Sequence, residues 1–119
     1  NLEIAEQIKL AMQLEEMGID LIQTEGSKNS MSEGALGLLE AAQMTLAHTI
    51  EISRNVNIPV MSASGLTTTT AGMAFAAGAS AIGVGSCINK LGSYLEMTAM
   101  ISNFVEILNK QSHRSEMFV

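Results

Sequence analysis

Three short apolar runs, each followed closely by a glycine, alternate along this chain with stretches of helical periodicity. The runs cover residues 19–25, 58–63 and 81–84. Strands that alternate with helices in this way pair in parallel, and right-handed crossovers join them. The alternation therefore predicts an α/β fold with a parallel sheet, and it favours neither an all-helical bundle nor an antiparallel sandwich.

Apolar residues at spacings of three and four mark the helices between these runs. A first helix is predicted before the first strand and ends at Gly18, a short small-residue helix is predicted over residues 70–77, and two longer helices follow the first and third strands. The stripes of the three longer helices are Ile4, Ile8, Ala11 and Leu14, then Leu39, Ala42, Leu46 and Ile50, and finally Met97, Ile101, Phe104 and Leu108.

The element order is thus one helix followed by three βα units. This order predicts the C-terminal three βα units of a (β/α)8 TIM barrel, with residues 1–119 forming one partial domain that lacks its N-terminal strands. Three strands cannot close a barrel, and exposed parallel edges invite aggregation. We therefore expect the remainder of the barrel, or a second copy of the chain in a homo-oligomer, to cover the open edges.

Charge and composition narrow the function. The chain has six Lys and Arg residues and a formal net charge of −6; because a nucleic-acid surface needs clustered cations, we expect no nucleic-acid partner. No apolar run reaches the ~18 residues of a membrane span, so no membrane partner is expected. His48 and His113 have no Cys, Asp or Glu at metal spacing, so we predict no metal site. Cys87 is the single cysteine, and no internal disulfide can form.

The second and third predicted strands both end in a glycine beside a serine. These pairs are Ser64–Gly65 and Gly85–Ser86. Glycine allows a positive φ and a close backbone approach, and consecutive N–H groups at such a turn form a concave anion nest. Two adjacent strands ending in this way predict a phosphate cup made of backbone amides, with help from the serine hydroxyls. The alternative is that both glycines only make tight turns.

Glu25 ends the first predicted strand at the face where barrel enzymes carry their active sites. A carboxylate there can act as a general base, and the alternative is a solvated loop acid or a helix cap. Gln23 lies two residues earlier and therefore points to the same side of the sheet, where it would bind a ligand. Residues 26–34 form a long loop of the kind that carries function. Lys90 follows the cup and either attracts an anion or faces water.

Residues 58–86 resemble the last strands of the ribulose-phosphate-binding barrels and of the barrels of histidine and tryptophan biosynthesis. This resemblance to aldolase-type barrels implies that the two turns hold the phosphate of a substrate. The Schiff-base lysine of some aldolase-type barrels has no counterpart in this strand, because the corresponding inward position holds Gln23, whose amide cannot form an imine.

A more specific resemblance extends over nearly the whole chain. It rests on the segments 20–26, 51–54, 58–60, 62–65, 83–86 and 89–91, which include Gln-Thr-Glu-Gly, Ser-Ala-Ser-Gly and Gly-Val-Gly-Ser. They resemble an uncharacterised barrel family of red-algal and related plastid genomes and of cyanobacteria, known as a hypothetical chloroplast reading frame. The resemblance implies the plastid stroma or the cyanobacterial cytoplasm and supplies no mechanism.

Three functions fit these patterns. The first is an isomerase or lyase that binds a phosphate-bearing small molecule in the cup and moves a proton with Glu25. The second is an oxidoreductase whose flavin mononucleotide cofactor presents the same phosphate to the same cup. The third is a non-catalytic barrel kept for ligand sensing or for assembly.

Overall fold

A computed structural model of the chain describes residues 3–26 and 32–117, with side chains described as far as residue 111. The interior of the predicted functional loop, residues 27–31, and the side chain of His113 lie outside the described residues. The elements are α1 (Ile4–Glu16), β1 (Ile22–Thr24), α2 (Gly34–Ser53), β2 (Val60–Ala63), α3 (Thr68–Ala76), β3 (Ala81–Gly83), α4 (Ser86–Asn89) and α5 (Tyr94–Met117).

The strands form one parallel sheet in the order β1-β2-β3. Ile22 pairs with Val60, and Met61 pairs with Ala81. The predicted fold class is confirmed, because one helix precedes three βα units and all strand pairs are parallel. Consecutive strands are neighbours, so all carboxyl ends lie at one edge of the sheet, and the residues that follow the strands are brought together there.

Two small apolar clusters hold the layers together. One contains Ala11, Ile22, Ile52, Val56 and Val60, and joins α1 and α2 to the first two strands. The other contains Ala42, Leu66, Ala74 and Ala79, and lies between α2 and α3. Large apolar side chains beyond these clusters stay exposed, most of all Tyr94 (89%) and Leu95 (80%) on α5.

β1 is shorter than the predicted strand of residues 19–25. The cause is the end of α1: Gly18 has a φ of 91°, its N–H donates to Glu15 O, and the N–H of Ile19 donates to Leu14 O. This pair of bonds is a Schellman ending, which uses the backbone of Ile19 to complete the helix. The strand can begin only after that turn is finished.

The predicted apolar stripe of α2 is borne out in part, since Leu46 packs against the apolar cluster that contains Ala42. Of that stripe only Ala42 is buried, and Leu39 is exposed. The buried face is instead partly polar and contains Thr45, His48 and Thr49. Side-chain hydrogen bonds to the strand ends fix the rotation of this helix, and a count of apolar spacings cannot detect them.

The last two helices also differ from the sequence prediction. α4 is a single turn after β3 that the apolar pattern does not indicate, and α5 begins at Tyr94. On α5, Phe104 is buried as predicted, whereas Ile101 and Leu108 are exposed. Among the described helices, none combines the length and the apolar character needed to cross a bilayer.

Candidate functional site

A cavity of about 420 Å³ lies at the carboxyl ends of the three strands. It is lined by Gln23, Glu25, Ala63, Ser64, Gly65, Leu66, Gly83, Val84, Gly85 and Ser86. Every residue that the sequence analysis proposes for the site is in this set. The topology explains the convergence, since each of these residues lies in, or just after, one of three adjacent parallel strands.

β1 contributes Gln23 and Glu25 from the face that points away from the helices. Ile22 and Thr24 are buried beneath the sheet while Gln23 between them is exposed, which is the alternation expected of a strand. Glu25 is exposed as well and is the sole ionisable residue among the described residues that line the cavity. Lys90 is exposed at the end of α4 and does not line the cavity.

The turn after β2 has a left-handed backbone. Ser64 has a φ of 90° and Gly65 a φ of 71°. A Cβ on Gly65 would collide with the carbonyl oxygen of Ala41 in α2 and would lie 3.0 Å from its carbonyl carbon. Both the backbone conformation and the close approach of α2 therefore require glycine at this position. The turn is held firmly, with Leu66 only 4% exposed.

The turn after β3 is built differently although its sequence is similar. Gly85 has a φ of −139° and a ψ of −76°, so its backbone is not left-handed, and a Cβ there would meet nothing within 4 Å. α4 follows at once and contains no buried residue. The absence of a side chain at Gly85 keeps this side of the cavity open, and the expectation of a positive φ at both turns holds only for Gly65.

Several backbone N–H groups at the two turns have no acceptor. Within the described residues, the amides of Gly65, Leu66, Gly85 and Ser86 donate to no other group of the chain. The amide of Ser86 is free because it lies in the first turn of α4, where no intrahelical acceptor exists. These donors belong to residues of one cavity, and they are the feature that suits it to an oxyanion.

A buried seam of hydroxyl groups lies directly beneath the site, and sequence reasoning missed it. Thr45 Oγ1 donates to Ser64 O at 2.7 Å and also approaches Ala63 O at 3.2 Å. Thr49 Oγ1 lies 2.8 Å from Ser62 Oγ and 3.4 Å from Thr24 Oγ1. All of these hydroxyls are buried. The seam joins α2 to the ends of β1 and β2, and its sequence signal is the spacing of Thr45, His48 and Thr49 on one helical face.

The two successive peptides after Glu25 are each held by a side chain of another element. His48 Nδ1 lies 2.7 Å from Glu25 O, and Ser64 Oγ donates to Gly26 O at 2.9 Å. A carbonyl oxygen can only accept, so His48 carries a hydrogen on Nδ1. The Ser64 hydroxyl thus donates its hydrogen to Gly26 O, while Ser64 still lines the cavity.

Gly26 also lies against α2, because a Cβ there would be 2.6 Å from Thr45 N and Thr45 Oγ1. The end of β1 is therefore fixed relative to α2 by close packing as well as by hydrogen bonds. Among the described residues, no group of three His, Cys, Asp or Glu side chains could hold a metal ion.

Comparison with known proteins gives a family and a set of relatives. The family model described as "Protein of unknown function (DUF561)" matches residues 1–114. The relatives are each named "Uncharacterized protein ycf23": the Porphyra purpurea protein is 42% identical over 76% of this chain, that of Pyropia yezoensis 42% over 82%, and that of Cyanophora paradoxa 40% over 87%. These organisms are red algae and a glaucophyte, which carry plastid genomes.

The match covers 35%, 37% and 43% of these three relatives, so the chain spans well under half of their length. A solved structure, "Structure of FabK (M276A) mutant from Thermotoga maritima", is also similar. The similarity has a TM-score of 0.48 and an identity of 32%, and it covers 63% of this chain and 23% of that one.

Proposed function

Since the chain belongs to the DUF561 family of proteins of unknown function, its activity has to be inferred from its own residues, and we propose that the cavity binds the phosphate group of a small molecule. The observation that carries this proposal is the set of unbonded amides at the two turns, Gly65 and Leu66 on one side and Gly85 and Ser86 on the other. Converging N–H groups are the usual phosphate ligands of barrels of this type.

The cup recognises its anion through neutral donors. No Lys or Arg is among the lining residues in the part of the chain that the structure describes, so within this part the attraction comes from short charge-assisted hydrogen bonds at fixed positions. Such a site selects for the tetrahedral arrangement of the phosphate oxygens, because the rigid turn after β2 cannot rearrange around an anion of another shape. The open turn after β3 leaves room for the rest of the molecule.

Glu25 and Gln23 supply the chemistry in this proposal. They line the same cavity from β1, and the carboxylate of Glu25 is its one acid–base group. A carboxylate beside a bound phosphate ester can move a proton on a neighbouring carbon or hydroxyl, and an amide can orient the carbonyl or hydroxyl being converted. We therefore assign the site to an isomerase or lyase of small phosphorylated molecules.

The rest of a (β/α)8 barrel completes the site. The relatives are more than twice as long as the matched segment, and the sheet described here ends at β1 on one side and at β3 on the other. We propose that further strands of the same barrel close these edges, with a homo-oligomer as the arrangement that a measured mass would reveal instead. By analogy with the relatives, the compartment is the plastid stroma or the cyanobacterial cytoplasm.

Native mass spectrometry tests the cup. The protein is measured alone and with inorganic phosphate, ribose 5-phosphate and flavin mononucleotide. Gly85→Val is the informative variant, because Gly85 lines the cavity, its φ is not left-handed and a Cβ at that position meets no atom within 4 Å. Gly92→Val is the matched control, since Gly92 lies outside the cavity and its Cβ makes only an ordinary contact.

The expected result is a phosphate-bearing adduct whose affinity falls about tenfold or more in Gly85→Val and is unchanged in Gly92→Val. If flavin mononucleotide stays bound and colours the protein yellow, the proposed function changes to that of a flavin-dependent oxidoreductase. A wild-type protein that ignores every probe would refute the cup and favour the non-catalytic barrel.

A further inference from the structure

We propose that His48 is a positioning residue that sets the carboxylate of Glu25 relative to the phosphate cup by holding the peptide that follows Glu25. This inference rests on the proposed phosphate site. Its basis is the 2.7 Å contact between His48 Nδ1 and Glu25 O, which neither the acid–base assignment nor the cup itself uses.

Glu25 needs such support because it lies beyond the last residue of β1. A residue inside a strand has its direction set by the ladder, but the residue after it does not. Here the carbonyl of Glu25 is bonded to His48 and the carbonyl of Gly26 is bonded to Ser64 Oγ. Two successive carbonyls held by side chains of other elements fix the planes of the two peptides after Glu25 and, through the first of them, the direction of the Cα–Cβ bond of Glu25.

Ser64 makes this arrangement informative about function. Its backbone forms the left-handed turn of the cup, while its hydroxyl bonds the loop that carries Glu25. Thr45 holds Ser64 from α2 through the carbonyl of Ser64. The cup and the carboxylate are therefore parts of one hydrogen-bonded unit anchored on α2, and the distance between phosphate and base is built into that unit.

His48 is suited to this role by its burial and its place on the helix. It is 8% exposed and lies three residues after Thr45 on the same face of α2. The imidazole spans the gap between the helix and the end of β1, and Nδ1 is its donor. Asparagine presents a donor nitrogen at the same number of bonds from the backbone, whereas leucine fills similar space with no donor.

The test compares two probes in three variants of the protein. The probes are inorganic phosphate, which occupies the cup alone, and ribose 5-phosphate, whose hydroxyl groups reach Glu25. The variants are His48→Asn, His48→Leu and Glu25→Gln, with the double variant of His48→Leu and Glu25→Gln to detect coupling. Dissociation constants come from calorimetry, and thermal unfolding is recorded in parallel.

The wild type is expected to bind ribose 5-phosphate more tightly than phosphate. His48→Leu and Glu25→Gln should each weaken the binding of ribose 5-phosphate about tenfold and leave the affinity for phosphate unchanged. The double variant should bind ribose 5-phosphate no more weakly than either single variant. His48→Asn restores most of the lost affinity.

Three results would overturn this assignment. If His48→Leu lowers only the unfolding temperature, or weakens both probes equally, His48 has a structural role. If the losses of binding free energy from His48→Leu and Glu25→Gln add in the double variant, His48 does not act through Glu25. If the wild type binds phosphate but does not prefer the sugar phosphate, Glu25 has no part in recognition, whereas a wild type that binds neither probe refutes the phosphate cup as well.

Discussion

The two turns of the site share a sequence pattern and differ in physical construction. The turn after β2 is left-handed at Ser64 and Gly65, is packed against Ala41 of α2 and is hydrogen-bonded through Thr45. The turn after β3 has no left-handed backbone at Gly85 and no atom within 4 Å of a would-be Cβ. A glycine beside a serine is a structural requirement in the first case and a matter of open space in the second.

The difference follows from the neighbours that each strand has. β2 is the central strand, with a strand on each side, and α2 is packed beneath its end. β3 is an edge strand of the described sheet and contains no buried residue. A turn can store a strained conformation only where the surroundings determine it completely, so the rigid half of the cup lies at β2 and the adaptable half lies at β3.

The largest effect that separates the turns is expected from Gly65→Ala. The new Cβ would clash with the Ala41 carbonyl and would force alanine to a φ of 71°. Since a backbone atom cannot move aside as a side chain can, we expect a loss of about 3 kcal/mol or more in the free energy of unfolding. Urea denaturation measures it.

Gly85→Ala is the matched substitution in the other turn. Its Cβ points into open space at a φ that is not left-handed, so the loss in the free energy of unfolding should be well below that of Gly65→Ala, at about 1 kcal/mol or less. Equal losses of unfolding free energy in Gly65→Ala and Gly85→Ala would show that the two turns are equally constrained, and the proposed difference between them would be wrong.

Thr45→Val tests the support beneath the rigid turn. Valine keeps the shape and removes the hydroxyl that serves Ser64 O and Ala63 O. Carbonyls left without that donor in a buried place cost about 2 kcal/mol of unfolding free energy. Thr69→Val is the control, because Thr69 is an exposed residue of α3; its loss should be near zero in the same urea titration.

Alanine substitutions of the two serines should differ by a smaller amount in the free energy of unfolding. Ser64→Ala removes the bond to Gly26 O and keeps the strained φ, so we expect a loss of about 1 kcal/mol. Ser86→Ala should be neutral, because the Ser86 hydroxyl makes no hydrogen bond to another described residue. Differential scanning calorimetry resolves the two, and a costly Ser86→Ala would mean that the turn after β3 is more constrained than its packing indicates.

The smallest expected effect is that of salt concentration on the affinity for ribose 5-phosphate. Because no Lys or Arg is among the described residues that line the cavity, screening has little charge attraction to weaken, and the affinity for ribose 5-phosphate should fall less than about twofold between low and physiological ionic strength. Titration calorimetry at two salt concentrations checks this. A steep fall would place a cation such as Lys90 at the bound phosphate.

Sequence patterns sufficed to predict the fold class and which of the chosen residues meet at one cavity. The alternation of apolar runs with helical stripes predicts three parallel strands, and parallel strands bring the residues after them to one edge. Gln23, Glu25, Ser64, Gly65, Gly85 and Ser86 therefore meet, as the topology requires.

The seam beneath the site could not be predicted in the same way. Apolar periodicity points α2 inward along Leu39, Ala42, Leu46 and Ile50, yet its buried face includes Thr45, His48 and Thr49. The preference arises from hydrogen bonds to carbonyls and hydroxyls of β1 and β2, which are far away in sequence. Likewise, a Gly-Ser pair cannot reveal whether its glycine has a positive φ, because that depends on how closely another element approaches.

The hydroxyl seam of Thr24, Thr45, Thr49 and Ser62 also limits how α2 can settle during folding. Aliphatic surfaces tolerate sliding, since any apolar neighbour will serve, but a hydroxyl in a dry interface needs its own partner. If α2 slipped by one turn, several polar groups would be stranded at once, so the wrong alignments are penalised together. The helix is thereby given a single docking position, in which its hydroxyls meet partners on both β1 and β2.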